Sequence, residues 1–166
     1  MTTRRNFLKA AVAGSAAVTM PLSIARTAHA AGTEEFRVGV IGCGGRGCGA
    51  AANAMNAGRD VKIVALGDLF EDHLESGWKN LKQVNDAQVQ VDQSRLFSGF
   101  DAYKKVIASD VNVVIIATAS HFHPVIFKAA VDAGKHVFVE KPHSLDVPGI
   151  KSVMETCKQA KKKGLA

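Results

Sequence analysis

Six consecutive residues, Gly42-Cys43-Gly44-Gly45-Arg46-Gly47, follow the compact apolar run Phe36 to Ile41 and precede an Ala-rich stretch of helical character. They fit G-x-G-x-x-G, a spacing suited to holding a pyrophosphate. The first glycine permits a tight turn, the second lets backbone approach the phosphates, and the third lets the next helix pack close to the strand. The free N–H groups and positive dipole end of that helix then face the anion. The motif alone is weak, but its context is the required one: a second apolar run, Val61 to Gly67, ends in Asp68, about 20 residues beyond the glycines. A carboxylate there accepts hydrogen bonds from both hydroxyls of an adenosine ribose and repels a 2′-phosphate. Gly42, Cys43, Gly44, Gly45, Arg46, Gly47 and Asp68 are thus candidate cofactor-binding residues. The expected cofactor is NAD; Arg46, with no basic residue at Leu69 or Phe70, leaves NADP possible.

A second group stands at the end of "AGKHVFVEKP", where Glu140-Lys141-Pro142 terminates another apolar run. Open α/β sheets bind ligands at the carboxyl edge of their strands, and two charges there are placed to meet one. Upstream lies "IIATASHFHP". The glycine fingerprint, the I-A-T-x-x-H-x-H run and A-G-K-H-V-x-x-E-K-P, in this order, resemble the Gfo/Idh/MocA family of oxidoreductases, and the resemblance covers residues 36–166. It implies a catalytic lysine at Lys141, beside the nicotinamide ring and the reacting hydroxyl or carbonyl carbon. It also implies that Glu140 orients the nicotinamide side and that Thr118 and His123 line the cofactor crevice, with His121 a weaker candidate. Family members often carry Pro and Asn after that threonine. Here Ala119 and Ser120 stand instead, and Ser120 retains a hydroxyl for cofactor contact. The resemblance further implies a sugar or polyol substrate, and a following α+β domain that supplies the substrate pocket and usually a homo-oligomer interface.

The elements that must position these residues alternate in type. Strands are expected at 36–41, 61–68, 95–97, 111–118 and over "KHVFVE". Between them lie a helix over 46–57, one with Leu74, Trp78 and Leu81 on its apolar face, one with Phe100, Tyr103, Val106 and Ile107, and one over 124–133 stopped by Gly134. A last helix is expected to turn Ile150, Val153, Met154 and Cys157 inward, and 85–94 reads as a polar loop. Apolar strands alternating with helices imply a parallel sheet covered on both faces, a doubly wound (Rossmann) α/β domain. The sequence stops at Leu165-Ala166, where a sixth strand is expected to begin, so the domain reads as truncated before that strand and the α+β domain.

Residues 1–30 have the three parts of an export signal: basic residues, a mildly apolar middle interrupted by Pro21, and Ala28-His29-Ala30 as a cleavage site. The middle is shorter than the ~20 apolar residues of a membrane span, so stable membrane insertion is not expected. Thr3-Arg4-Arg5-Asn6-Phe7-Leu8-Lys9 resembles the twin-arginine signals, which implies the twin-arginine translocase as a partner and a periplasmic or extracellular destination. Residues 31–35 form a polar joint. Cleavage removes Arg4, Arg5, Lys9 and Arg26 and no acid, lowering the net charge from +6 to +2. With no interleaving of basic and aromatic residues, nucleic acid is not an expected partner. Cys43, Cys48 and Cys157 lack metal-ligand spacing and read as packing residues, with no metal expected. Together the two resemblances imply an exported oxidoreductase moving hydride between a nicotinamide and a hydroxyl or carbonyl carbon of a sugar, polyol or related compound. A nucleotide-binding module without catalysis is the alternative.

Overall fold

The computed structural model describes residues 35–166, so the expected signal segment and most of the joint lie outside the described residues. Five strands, β1 (Phe36–Ile41), β2 (Val61–Asp68), β3 (Leu96–Ser98), β4 (Val113–Ile116) and β5 (His136–Val139), form one parallel sheet in the order β3-β2-β1-β4-β5. Five helices connect or follow them: α1 (Gly45–Ala57), α2 (Glu71–Asn85), α3 (Ala102–Ala108), α4 (His123–Asp132) and α5 (Val147–Lys162).

Side chains alternate across a strand, and the sheet accordingly has two cores. On one face Val38 and Val40 of β1 and Ile63 and Leu66 of β2 pack with Ala51 and Met55 of α1 and Leu74 and Leu81 of α2. On the other, Ile41, Val64, Val114 and Ile116 pack with α3 and α4. Each such buried aliphatic side chain contributes about 1.5–3 kcal/mol. The expected doubly wound α/β fold is present. Its strand order reverses between β1 and β4, which opens a crevice at their carboxyl ends.

Several local expectations are corrected. Strand β4 is shorter than 111–118. Residues 85–94 hold two short 3₁₀ turns, with Gln88, Val89 and Val91 buried. The Gln88 amide donates to the carbonyls of Met55, Gly58 and Val61, giving that segment the partners a polar loop would take from water. Phe100 precedes α3 and is 73% exposed, because Gly99 at φ 95° turns the chain before the helix starts. In α5 Thr156 is the buried residue, flanked by Val153 and Ala160; Ile150, Met154 and Cys157 face outward. A small-residue face at i, i+3 and i+7 lets this helix lie close to its neighbours. In β5, His136 and Phe138 are exposed while Val137 and Val139 are half-buried. The described residues therefore cover β5 on one face only. At its edge Val137 N donates to Ala166 O over 2.8 Å.

Candidate functional site

The crevice begins where β1 ends. Gly42 has φ 94°, and a Cβ there would meet the Ala117 carbonyl and Thr118 N at 2.6–2.8 Å. At Gly47 a Cβ would overlap the Gly42 carbonyl, so only glycine lets α1 sit directly on the turn. Around Gly44 and Gly45, in contrast, nothing among the described residues lies within 4 Å of a Cβ position. No side chain among them caps α1, and its first turn carries no acid. Its leading N–H groups therefore face this open space with the positive end of the helix dipole. That cradle fits a pyrophosphate.

Asp68 is 9% exposed and closes the turn from the side of β2. Its Oδ2 accepts a hydrogen bond from Cys43 N at 2.6 Å and its Oδ1 one from Phe70 N at 3.0 Å. The carboxylate is thus fixed by backbone donors while its remaining lone pairs can accept ribose hydroxyls. Cys43 serves the site through its backbone N–H. Its thiol is buried, and burial first, then the neighbouring Cys48 and Asp68 groups, push its pKa well above the usual thiol range. A cleft of about 480 Å³ opens beside this carboxylate, lined by Gly42, Gly44, Asp68 and Thr118 and walled by Phe70, Phe100 and Phe122. The exposure of those three aromatic rings has its explanation here, since an apolar wall suits a flat base. Phe100 and His73, also on this wall, escaped the sequence reading. Helical periodicity had placed Phe100 in a core, and one histidine in a charged helix carries no signal.

At the other end, Glu140 N donates to Ile116 O at 2.9 Å and carries the β5 register one residue further. The buried Glu140 carboxylate is ion-paired with Arg46 of α1. Lys141 follows, exposed and without an acidic partner among the described residues. His123 is 1% exposed and lies behind the crevice rather than on its wall. Its Nδ1 is 3.0 Å from Pro142 O and its Nε2 2.9 Å from Thr118 O, so it joins the segment after β4 to the segment after β5. Lining the crevice was expected of His123; the structure places it instead against the Thr118 and Pro142 carbonyls, the latter next in the chain to Lys141. Ser120 and His121 do not line the cleft; the His121 ring packs edge-on against Phe122 with centroids 5.2 Å apart.

The family model described as an oxidoreductase family with an NAD-binding Rossmann fold matches residues 36–165. The chain belongs to the Gfo/Idh/MocA family. Among its relatives is a Shewanella amazonensis protein named glycosyl hydrolase family 109 protein, 31% identical over 92% of this chain and 36% of the relative. Among solved structures, apo scyllo-inositol dehydrogenase from Lactobacillus casei aligns with TM-score 0.61 at 25% identity, covering 79% of this chain and 34% of that one. Myo-inositol 2-dehydrogenase from Lactobacillus plantarum aligns with TM-score 0.59 at 25% identity, over 75% and 33% of the respective chains. This Gfo/Idh/MocA chain thus spans about a third of the length of the relatives it matches. Residues 36–165 supply the family's NAD-binding Rossmann fold.

Proposed function

We propose that this chain is the cofactor-binding half of an exported NAD(P)-dependent oxidoreductase that transfers hydride between a nicotinamide and a hydroxyl or carbonyl carbon of a sugar, polyol or related compound. The observation that carries the reading is the joint geometry of the glycine turn and Asp68: an open, dipole-backed cradle next to a carboxylate fixed for a ribose. In this reading Gly42 to Gly47 hold the pyrophosphate, Asp68 the adenosine ribose, and Thr118 and Glu140 the nicotinamide side. Ser120 lies off the cleft and contributes from the neighbouring loop. The nicotinamide supplies the hydride acceptor or donor. Lys141, an exposed cation at the same sheet edge, polarises a substrate carbonyl oxygen or supports removal of the hydroxyl proton. The inositol dehydrogenase neighbours support a polyol substrate.

Export is part of the proposal and rests on residues 1–30 alone. It agrees with the site's demand, because nicotinamide dinucleotides are cytoplasmic and a folded-protein translocase carries a bound one outward. A homo-oligomer is proposed for the full-length protein on the family resemblance.

The test is titration with NADH followed by its fluorescence, then turnover of the full-length protein with a panel of polyols followed by formation of reduced nicotinamide. Absence of dinucleotide binding would overturn the reading. A second reading, glycoside cleavage assisted by the dinucleotide, is favoured by the name of the Shewanella relative. It differs in outcome, releasing sugar from a glycoside with no net change in the dinucleotide's redox state.

A further inference from the structure

One titratable group at the adenosine end of the cleft has no part in the roles assigned above. His73, in the first turn of α2, has Nδ1 3.5 Å from Asp68 Oδ1, and its side chain is 48% exposed. Its ring meets Phe70 edge-on with centroids 5.3 Å apart, which holds it on the wall that also carries Asp68 and Gly44. The charges facing this corner are mostly negative. Asp68 from β2 and Asp101 from the loop before α3, itself paired with Lys104 at 2.7 Å, line it, and Glu71 and Asp72 share the first turn of α2 with His73. Burial raises the pKa of the nearby thiols of Cys43 and Cys48, which favours their neutral forms.

We propose that His73 determines how this site chooses between dinucleotides with a free 2′-hydroxyl and those with a 2′-phosphate, and that the choice follows the protonation of its ring. The inference rests on reading this cleft as the adenosine end of a dinucleotide site. With the imidazole neutral, Asp68 and the other carboxylates oppose a 2′-phosphate, and NAD is selected by the ribose hydroxyls. With the ring protonated, the charge of Asp68 is offset by a cation beside it, and the ring, which lines the cleft, offers a charge-assisted donor to phosphate. His73 then does the work that a basic residue at 69 or 70 would do, and does it only on the acid side. No bond is made or broken, and the one proton involved comes from solvent.

The experiment measures dissociation constants of NAD⁺ and NADP⁺ for the whole chain at about pH 5.5 and about pH 8.5. The same measurement on His73→Gln is the control, because the 2′-phosphate has its own second proton near a pKa of ~6 in both proteins. The expected result is a preference that moves toward NADP⁺ on acidification about tenfold further in the unmutated protein than in His73→Gln, the scale of one hydrogen bond to a charged group. Retained NAD⁺ binding verifies that the variant is folded. A second readout follows the His73 ring by NMR, its titration midpoint rising with adenosine 2′-monophosphate and not with adenosine. Equal pH responses in the two proteins, with NAD⁺ bound by both, overturn this inference and leave the dinucleotide reading standing. A chain that binds neither dinucleotide at either pH overturns both.

Discussion

Arg46 and Glu140 are ion-paired across the carboxyl end of β4, although 94 residues separate them in the sequence. The pair is asymmetric: the Arg46 side chain is 72% exposed and that of Glu140 only 10%. A carboxylate so deeply placed needs a cationic partner, whereas the guanidinium keeps most of its surface toward solvent and the open cradle. The two ends of the candidate site, phosphate turn and Glu-Lys-Pro segment, are therefore coupled by one contact.

That coupling is measurable in a double-mutant cycle of Arg46→Ala and Glu140→Gln, read from urea unfolding midpoints. With the arginine well exposed, solvent screening holds the interaction to about 0.5–1 kcal/mol. Arg46→Ala alone is expected to cost more than Glu140→Gln alone, because it leaves a buried charge unpaired. Strict additivity of the two changes would show that the contact contributes nothing.

Asp68→Ala is expected to weaken NADH binding by about 1–3 kcal/mol, the scale of losing a charged hydrogen-bond acceptor. It also strips Cys43 N of its partner, so thermal stability should fall with affinity. Asp68→Asn keeps an acceptor for that amide but turns its own NH2 toward Phe70 N, so it should lose less stability than Asp68→Ala while narrowing the gap to NADPH. Tighter binding of NADPH than NADH by the unmutated protein near neutral pH would show the carboxylate to be misassigned.

In the full-length protein, Lys141→Ala should abolish most turnover with NADH affinity nearly unchanged. His123→Ala should lower stability by about 1–3 kcal/mol, since it empties a buried site and leaves the carbonyls of Thr118 and Pro142 without their partner. It should reduce kcat as well by loosening Lys141. Unaltered turnover in Lys141→Ala excludes the lysine from the chemistry.

The three cysteines should differ sharply toward an alkylating reagent at about pH 8, where an ordinary thiol with a pKa near ~8.5 is partly ionised. Cys157 is exposed and should react first. Cys43, its pKa raised by burial, stays protonated and should react only after denaturant is added. Peptide mass spectrometry assigns the labelled positions, and rapid native labelling of Cys43 would contradict the packing described.

Replacing Arg4 and Arg5 together by lysine should leave precursor in the cytoplasm, because a twin-arginine translocase requires the pair while a general secretory route tolerates lysine. Fractionation followed by immunoblotting reads the result. Unimpaired export of the double variant would remove the twin-arginine assignment.

The residues legible in the sequence are those whose role depends on near neighbours. Gly42, Gly44 and Gly47 declare the turn by spacing, Asp68 declares itself by ending an apolar strand, and the doubly wound order follows from alternating strand and helix patterns. The contact made by His123 was not legible, since its partner Pro142 is brought to it only by the pairing of β4 with β5. Gln88 was hidden for the same reason, its three carbonyl partners belonging to a helix end and a strand start on other segments. The inward face of α5 was misread because apolar size is a poor guide where a helix packs closely: Thr156 fits, and Met154 does not.

The contact of Gly42 with Ala117 and Thr118, together with the hydrogen bond from Ala117 N to Ile41 O at 2.8 Å, has a consequence in time. The glycine turn leaves the ribosome well before the strand that supports it has been translated. Until β4 is paired beside β1, the loop has no wall to pack against and no fixed shape to offer an anion. A ligand that binds only the native arrangement stabilises only chains that have reached it. Nucleotide capture thus waits for β4 to be made and paired beside β1, about 75 residues after the turn itself.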